Sequence, residues 1–207
     1  MKAYNDFAGR SLDRIAALSD GIFAFAMTLL VLDLHVPDVT AIHSEPGLLQ
    51  ALLAFGPRLL AALMTFLTLG IFWVGQQTLL AGYERSDRSA AWLHLMFLIP
   101  VVLMPFSTAL LAEFMGYRIA VLEYWLNIFS LGACIYANYS YALRAGLMSK
   151  EGIDTWPGAR RRILAGQSLY ALGALLCIFG TPYAVAFIFL VQLNYAIAPR
   201  IPGLYKL

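Results

Sequence analysis

Charge is what this sequence has least of. Aspartate, glutamate, lysine and arginine make up 13% of its 207 residues, 61% are hydrophobic, and the mean hydropathy is +0.73. A soluble domain carries about 25% charged residues, so too few polar side chains are present to cover a compact water-soluble fold. Lipid must be part of the solvent. The net charge of +2 comes with no basic run interleaved with aromatics, which excludes nucleic acid as a partner. The two cysteines, Cys134 and Cys177, lie inside apolar runs without a CxxC spacing, and read as inert buried thiols. The three histidines, His35, His43 and His94, are dispersed and do not make a metal site. Missing too are HExxH, GxSxG, paired aspartates on facing spans and a Gly-rich phosphate loop, so no enzyme and no cofactor are expected. There is no TVGYG filter and no arginine-repeat voltage sensor. A cleavable leader is not expected, because the first fourteen residues are polar and the apolar run after them is long enough to span. With no Gly/Ser linker, low-complexity tract or internal repeat, residues 1–207 read as one transmembrane domain.

What is present is a series of long apolar runs. A hydrocarbon core about 30 Å thick needs about 20 helical residues. The runs predict an all-α integral membrane protein with six transmembrane helices per subunit, at about 15–36, 57–81, 90–111, 119–143, 163–179 and 182–198. Pro37 stops the first and Pro199 follows the last. Between the first two, Gly47 to Phe55 is a short apolar stretch before Gly56-Pro57, readable as an interfacial helix or as an extension of the second span.

Basic residues near helix ends stay on the cytoplasmic side. With six crossings, Lys2, Arg10, Arg14, Arg85, Arg88, Arg144, Lys150, Arg160, Arg161, Arg162, Arg200 and Lys206 all fall on one side. Only Arg58 and Arg118 fall on the other, so both termini are expected in the cytoplasm.

The first span, RIAALSDGIFAFAMTLLVLDL from Arg14 to Leu34, carries one acid inside it, Asp20. An intramembrane carboxylate is costly, so it faces protein or water and has a partner, unless it snorkels to the headgroups. Arg14 is the nearest basic residue in sequence but lies well round the helix from Asp20, so the partner is expected on another helix or subunit. Arg14, then three residues, then Leu18-Ser19-Asp20 resembles the RxxxFSD signature of the transmembrane protein 175 family of potassium channels. The likeness continues through Gly21, Phe23, Ala24 and Thr28 to Leu32. Leu103-Met104-Pro105-Phe106-Ser107-Thr108 is similar to that family's PF-S/T segment, and Phe72-Trp73 to its aromatic-Trp pair. Leu18 stands where the family has Phe. Gln76 and Gln77 stand where bacterial members commonly carry histidines; a Gln can donate to a carboxylate but brings no positive charge.

The resemblance implies that first helices from several subunits line a central pore with an apolar side-chain filter beginning five residues after the motif Asp. Here those positions are Phe25, Leu29 and Leu32, with Thr28 between them, and Phe25 replaces a typical aliphatic residue. Positions 25, 29 and 32 also share one helical stripe, an arrangement that in an arbitrary span is ordinary packing. Arg14, Ser19, Asp20, Trp73, Gln76 and Gln77 are expected to form a structural network rather than to coordinate ions. One copy of the motif cannot surround an ion, so the resemblance implies a homotetramer. The function implied is a potassium-selective, leak-type cation channel in the plasma membrane of a bacterium or archaeon, with K+ as permeant ion and the bilayer and its own copies as partners. The rival is a proton-coupled secondary transporter using Asp20 and Glu123. The lack of a paired repeat weighs against it, and Glu123 reads better as a headgroup-facing residue.

Overall fold

In lipid every backbone polar group must be satisfied within the protein, and an apolar run meets that demand as a helix. The computed structural model describes residues 11–32, 34–36 and 42–197. Among these described residues are seven α-helices: α1 Leu12–Leu32, α2 Glu45–Ala54, α3 Gly56–Ala81, α4 Arg88–Glu113, α5 Arg118–Arg144, α6 Lys150–Leu175 and α7 Thr181–Ile197, with a 3-10 turn over Leu176–Ile178 before α7. Lys2, Arg10, Arg200, Lys206, Pro37 and Pro199 lie outside the described residues.

Four helices, α1, α3, α4 and α5, are long and apolar enough to cross a membrane, and α7 is a shorter apolar helix of 17 residues. Helix α6 begins thirteen residues before the start expected from hydropathy, at Lys150 rather than Ile163. The cause is local. Ser149 is extended (φ −67°, ψ 168°) and its side chain accepts the Gly152 N–H at 3.1 Å, which caps a helix through a charged stretch. Helix α1 ends at Leu32, short of the expected Val36. The stretch at 47–55 is a helix of its own, α2, capped by Ser44 and separated from α3 by a turn at Phe55.

The ends of the helices are tied at two levels. At one end, Glu84 N–H donates to Leu147 O at 2.9 Å, Ser149 N–H to Gly82 O at 2.9 Å, and Arg85 Nη2 to Gly146 O at 3.2 Å. Gly146 has φ +64°, the left-handed conformation that lets the chain leave α5. At the other end, Arg58 pairs with Glu113 at 2.7 Å, and Arg118 Nη2 donates to Ile178 O at 3.4 Å. Arg58 and Arg118 thus sit opposite Arg85 and Lys150.

Helix α1 packs on α3 and α4, while α4–α5, α5–α6, α6–α7 and α7–α3 contacts complete the bundle. Its interior holds Met64, Leu69, Met104, Tyr124, Ile128 and Leu131, all fully buried. Helices α5 and α6 meet at Gly132, where any added Cβ would collide with the Gln167 side chain.

Candidate functional site

The site starts with the rotation of α1. Phe23, Ala26 and Leu30 are buried, and Phe23 lies 6.0 Å from the Phe97 ring of α4. Those residues fix which side of α1 faces the protomer. The other side carries Arg14, Leu18, Gly21, Phe25, Thr28 and Leu32, spaced four, three, four, three, four, and all are exposed. Phe25 is 66% exposed and Leu32 69%, against 1% for Phe23. Leu29 is half-buried at the edge of this stripe. Thr28 Oγ1 donates to Phe25 O at 2.8 Å, which leaves its lone pairs facing outward.

The motif residues lie on the border between the two faces. Ser19 is fully buried; its hydroxyl donates to Ile15 O at 2.9 Å and accepts Gln76 Nε2 at 2.6 Å. Asp20 Oδ1 accepts two donors from α3, Trp73 Nε1 at 2.8 Å and Gln77 Nε2 at 2.7 Å. Trp73, Gln76 and Gln77 are i, i+3 and i+4 on α3, so one helix face presents three donors to two successive residues of α1. Five of the six expected network residues therefore meet. Arg14 stands apart, with no side-chain hydrogen bond or ion pair among the described residues, and Asp20 is held by neutral donors alone.

Two further polar clusters were not foreseen. Ser107 Oγ lies 2.9 Å from Glu123 Oε1 and accepts Asn127 Nδ2 at 2.9 Å. Glu123 Oε2 is buried without a partner among the described residues, and the Ser107 bond turns this carboxyl toward α4 and not the headgroups, contrary to the sequence reading. Thr65 binds Thr108 and the Tyr124 hydroxyl, while Gln192 Nε2 donates to Thr68 Oγ1 at 2.7 Å. The available signal was spacing: Thr65 and Thr68, and Glu123 and Asn127, recur on single helix faces within apolar spans. Among the described residues no three of His, Cys, Asp and Glu come together as a metal site.

The chain as a whole is similar to known membrane channels. Along 180 residues this chain is 33% identical to a potassium channel of Streptomyces collinus, covering 85% of this chain and 82% of that one. The chain belongs to the TMEM175 family. Residues 14–105 match the family described as endosomal/lysosomal potassium channel TMEM175, a family of multi-pass membrane channels and not of enzymes. A potassium channel of Chamaesiphon minutus is 38% identical over 102 residues, 49% of this chain and 50% of that one. The human relative, named as an endosomal/lysosomal proton channel, is 35% identical over 89 residues, 41% of this chain but 18% of its own length. The fold is similar to the crystal structure of a potassium-selective TMEM175 homologue from Chamaesiphon minutus. That likeness has a TM-score of 0.76 at 26% identity, and covers 92% of this chain and 98% of that chain.

Proposed function

We propose that this chain is a potassium-selective, leak-type cation channel built as a homotetramer, with α1 of each subunit lining the pore. The observation that carries this reading is the exposed apolar stripe of α1, aimed away from its own protomer by the buried Phe23 face. Around a four-fold axis Phe25, Leu29 and Leu32 form successive apolar rings with Thr28 between them. A narrow apolar ring is a dehydration barrier, and the ion that sheds water more readily, potassium over sodium, crosses it more easily. The Phe25 ring also offers its π face to a cation. Trp73, Gln76 and Gln77 hold the rotation of α1 through Ser19 and Asp20, so the filter stays aimed at the axis. In this reading α1, α3, α4, α5, the apolar half of α6, and α7 make six crossings with both termini cytoplasmic, in the plasma membrane of a bacterium or archaeon.

Bilayer recording on the purified protein tests this directly. Potassium currents larger than sodium currents at equal concentration, without an energy source, are the expected result. Uptake of a solute coupled to protons, with no unitary currents, would replace the channel with a carrier.

A further inference from the structure

A groove of about 960 Å3 lies between α3 and the α6–α7 pair, and no α1 residue is among its lining; Trp73 of α3 borders it. On α3 its wall is apolar, with Phe66, Ile71 and Val74 around Gly70, where an added Cβ would meet nothing within 4 Å. The α3 lining runs from Phe66 to Thr78. At about 1.5 Å per residue that is roughly 18 Å, near the depth of one leaflet of a core about 30 Å thick. Arg161 and Arg162 line the other wall. Gly166 sits against Tyr195 and Gly173 against Ile188, and Gln192 of α7 donates to Thr68 of α3; together these contacts place the two arginines toward the C-terminal end of α3. Arg162 is positioned by Tyr195: its guanidinium lies 5.4 Å from the ring centre, and the Tyr195 hydroxyl donates to Arg162 O at 3.4 Å.

Three residues of the lining also bury polar atoms without partners among the described residues. Tyr139 and Tyr170 line the groove, are 2% and 3% exposed, and neither hydroxyl has a hydrogen-bond partner among the described residues. Gln167 Oε1, beside them, is also without one. Buried hydroxyls without partners are uncommon because each forfeits its hydration.

We propose that this groove holds one acyl chain of an anionic glycerophospholipid, with the phosphate on Arg161 and Arg162. The length matches one leaflet, the cations stand at one end only, and basic pockets between membrane helices are suited to anionic headgroups. A second copy of this chain would have to bring a carboxylate to the same end of the groove.

The test is titration of the detergent-purified protein with phosphatidylglycerol, phosphatidylcholine or inorganic phosphate, read by native mass spectrometry and by melting temperature. Phosphatidylglycerol should be retained and raise the melting temperature, because a ligand that binds only the folded state stabilises it. Phosphatidylcholine and phosphate alone should do neither. In Arg161→Gln/Arg162→Gln the affinity for phosphatidylglycerol should fall about thirtyfold, since each cation contributes roughly a factor of five near an anionic surface. Both positions are exposed, so the lipid-free melting temperature should stay within a degree or two. Gly70→Leu, which fills the channel, should weaken the lipid by a similar factor while the oligomer persists. Equal retention of phosphatidylcholine, equal stabilisation by phosphate, or undiminished binding in the arginine variant would overturn the site. So would a Gly70→Leu protein that keeps the lipid and loses its oligomer, since the groove would then be a contact between subunits. None of these readouts depends on ion conduction, so the pore reading and the lipid site stand or fall separately.

Discussion

Two phenylalanines two positions apart on α1 divide its two jobs. Phe23 is buried against Phe97, while Phe25 faces away from the protomer. Phe23→Ala should empty part of the core and cost about 3–5 kcal/mol, seen as a lower melting temperature or poor expression. Phe25→Ala removes nothing from the protomer core, so stability should hold. In the proposed tetramer its effect should fall on the pore: with four large rings lost, the constriction should wet, conductance rise and the preference for potassium over sodium fall. Recordings of both variants in mixed potassium and sodium check this, and a selectivity change confined to Phe23→Ala would mean the wrong face of α1 lines the pore. Asp20 is a separate case. Asp20→Ala leaves Trp73 Nε1 and Gln77 Nε2 without their acceptor. The expected cost is about 1–3 kcal/mol with loss of assembly before any clean change in ion preference. Asp20→Ala that assembles normally yet loses only selectivity would place this carboxylate in the filter.

At the scale of elements, α6 is the instructive helix. Its apolar half was legible from hydropathy, but its start was not, because Lys150 to Arg162 carries six charged residues and gives no apolar signal. The start depends on one cap, Ser149 onto the Gly152 N–H. Ser149→Ala should therefore cost about 1 kcal/mol, measured by thermal unfolding in detergent against Ser149→Asp, which retains an acceptor. The α5–α6 seam depends instead on the missing side chain of Gly132. Gly132→Leu should displace Gln167, part the two helices and destabilise by about 1–3 kcal/mol or more through overpacking. A Gly132→Leu protein as stable as the parent would show that the seam is looser than the close approach implies. Helix α2 was ambiguous in sequence between a separate helix and an extension of α3; the turn at Phe55, just before Gly56-Pro57, decides for a separate helix.

At the scale of the whole molecule, one protomer exposes Leu18, Phe25 and Leu32 of α1 on a single flank. Lipid can cover such a flank as readily as another subunit can, so apolarity alone does not give the copy number. Arg14 bears on it, because among the described residues the cation at the head of the stripe has no side-chain partner in its own protomer. Native mass spectrometry in mild detergent should show four subunits, and Arg14→Gln should shift the population toward smaller species. A clean monomer that still conducts would remove the shared pore.

Membrane residence, the helical class, the approximate positions of the apolar helices and the need of Asp20 for a partner on another helix were all determined by the sequence alone. Each depends on local composition, and a bilayer turns composition into helix by leaving the backbone no other way to satisfy its polar groups. Where Asp20 finds its donors was a different kind of question. Arg14 is six residues away and does not pair with it, whereas Trp73 and Gln77, more than fifty residues on, do. Likewise Ser107 turning Glu123 inward, and a glycine-widened groove meeting two arginines of another helix, depend on the register between helices distant in sequence. That register is set by packing of bulky and missing side chains, such as Phe23 on Phe97 and Gly132 under Gln167, and only the tertiary structure contains it.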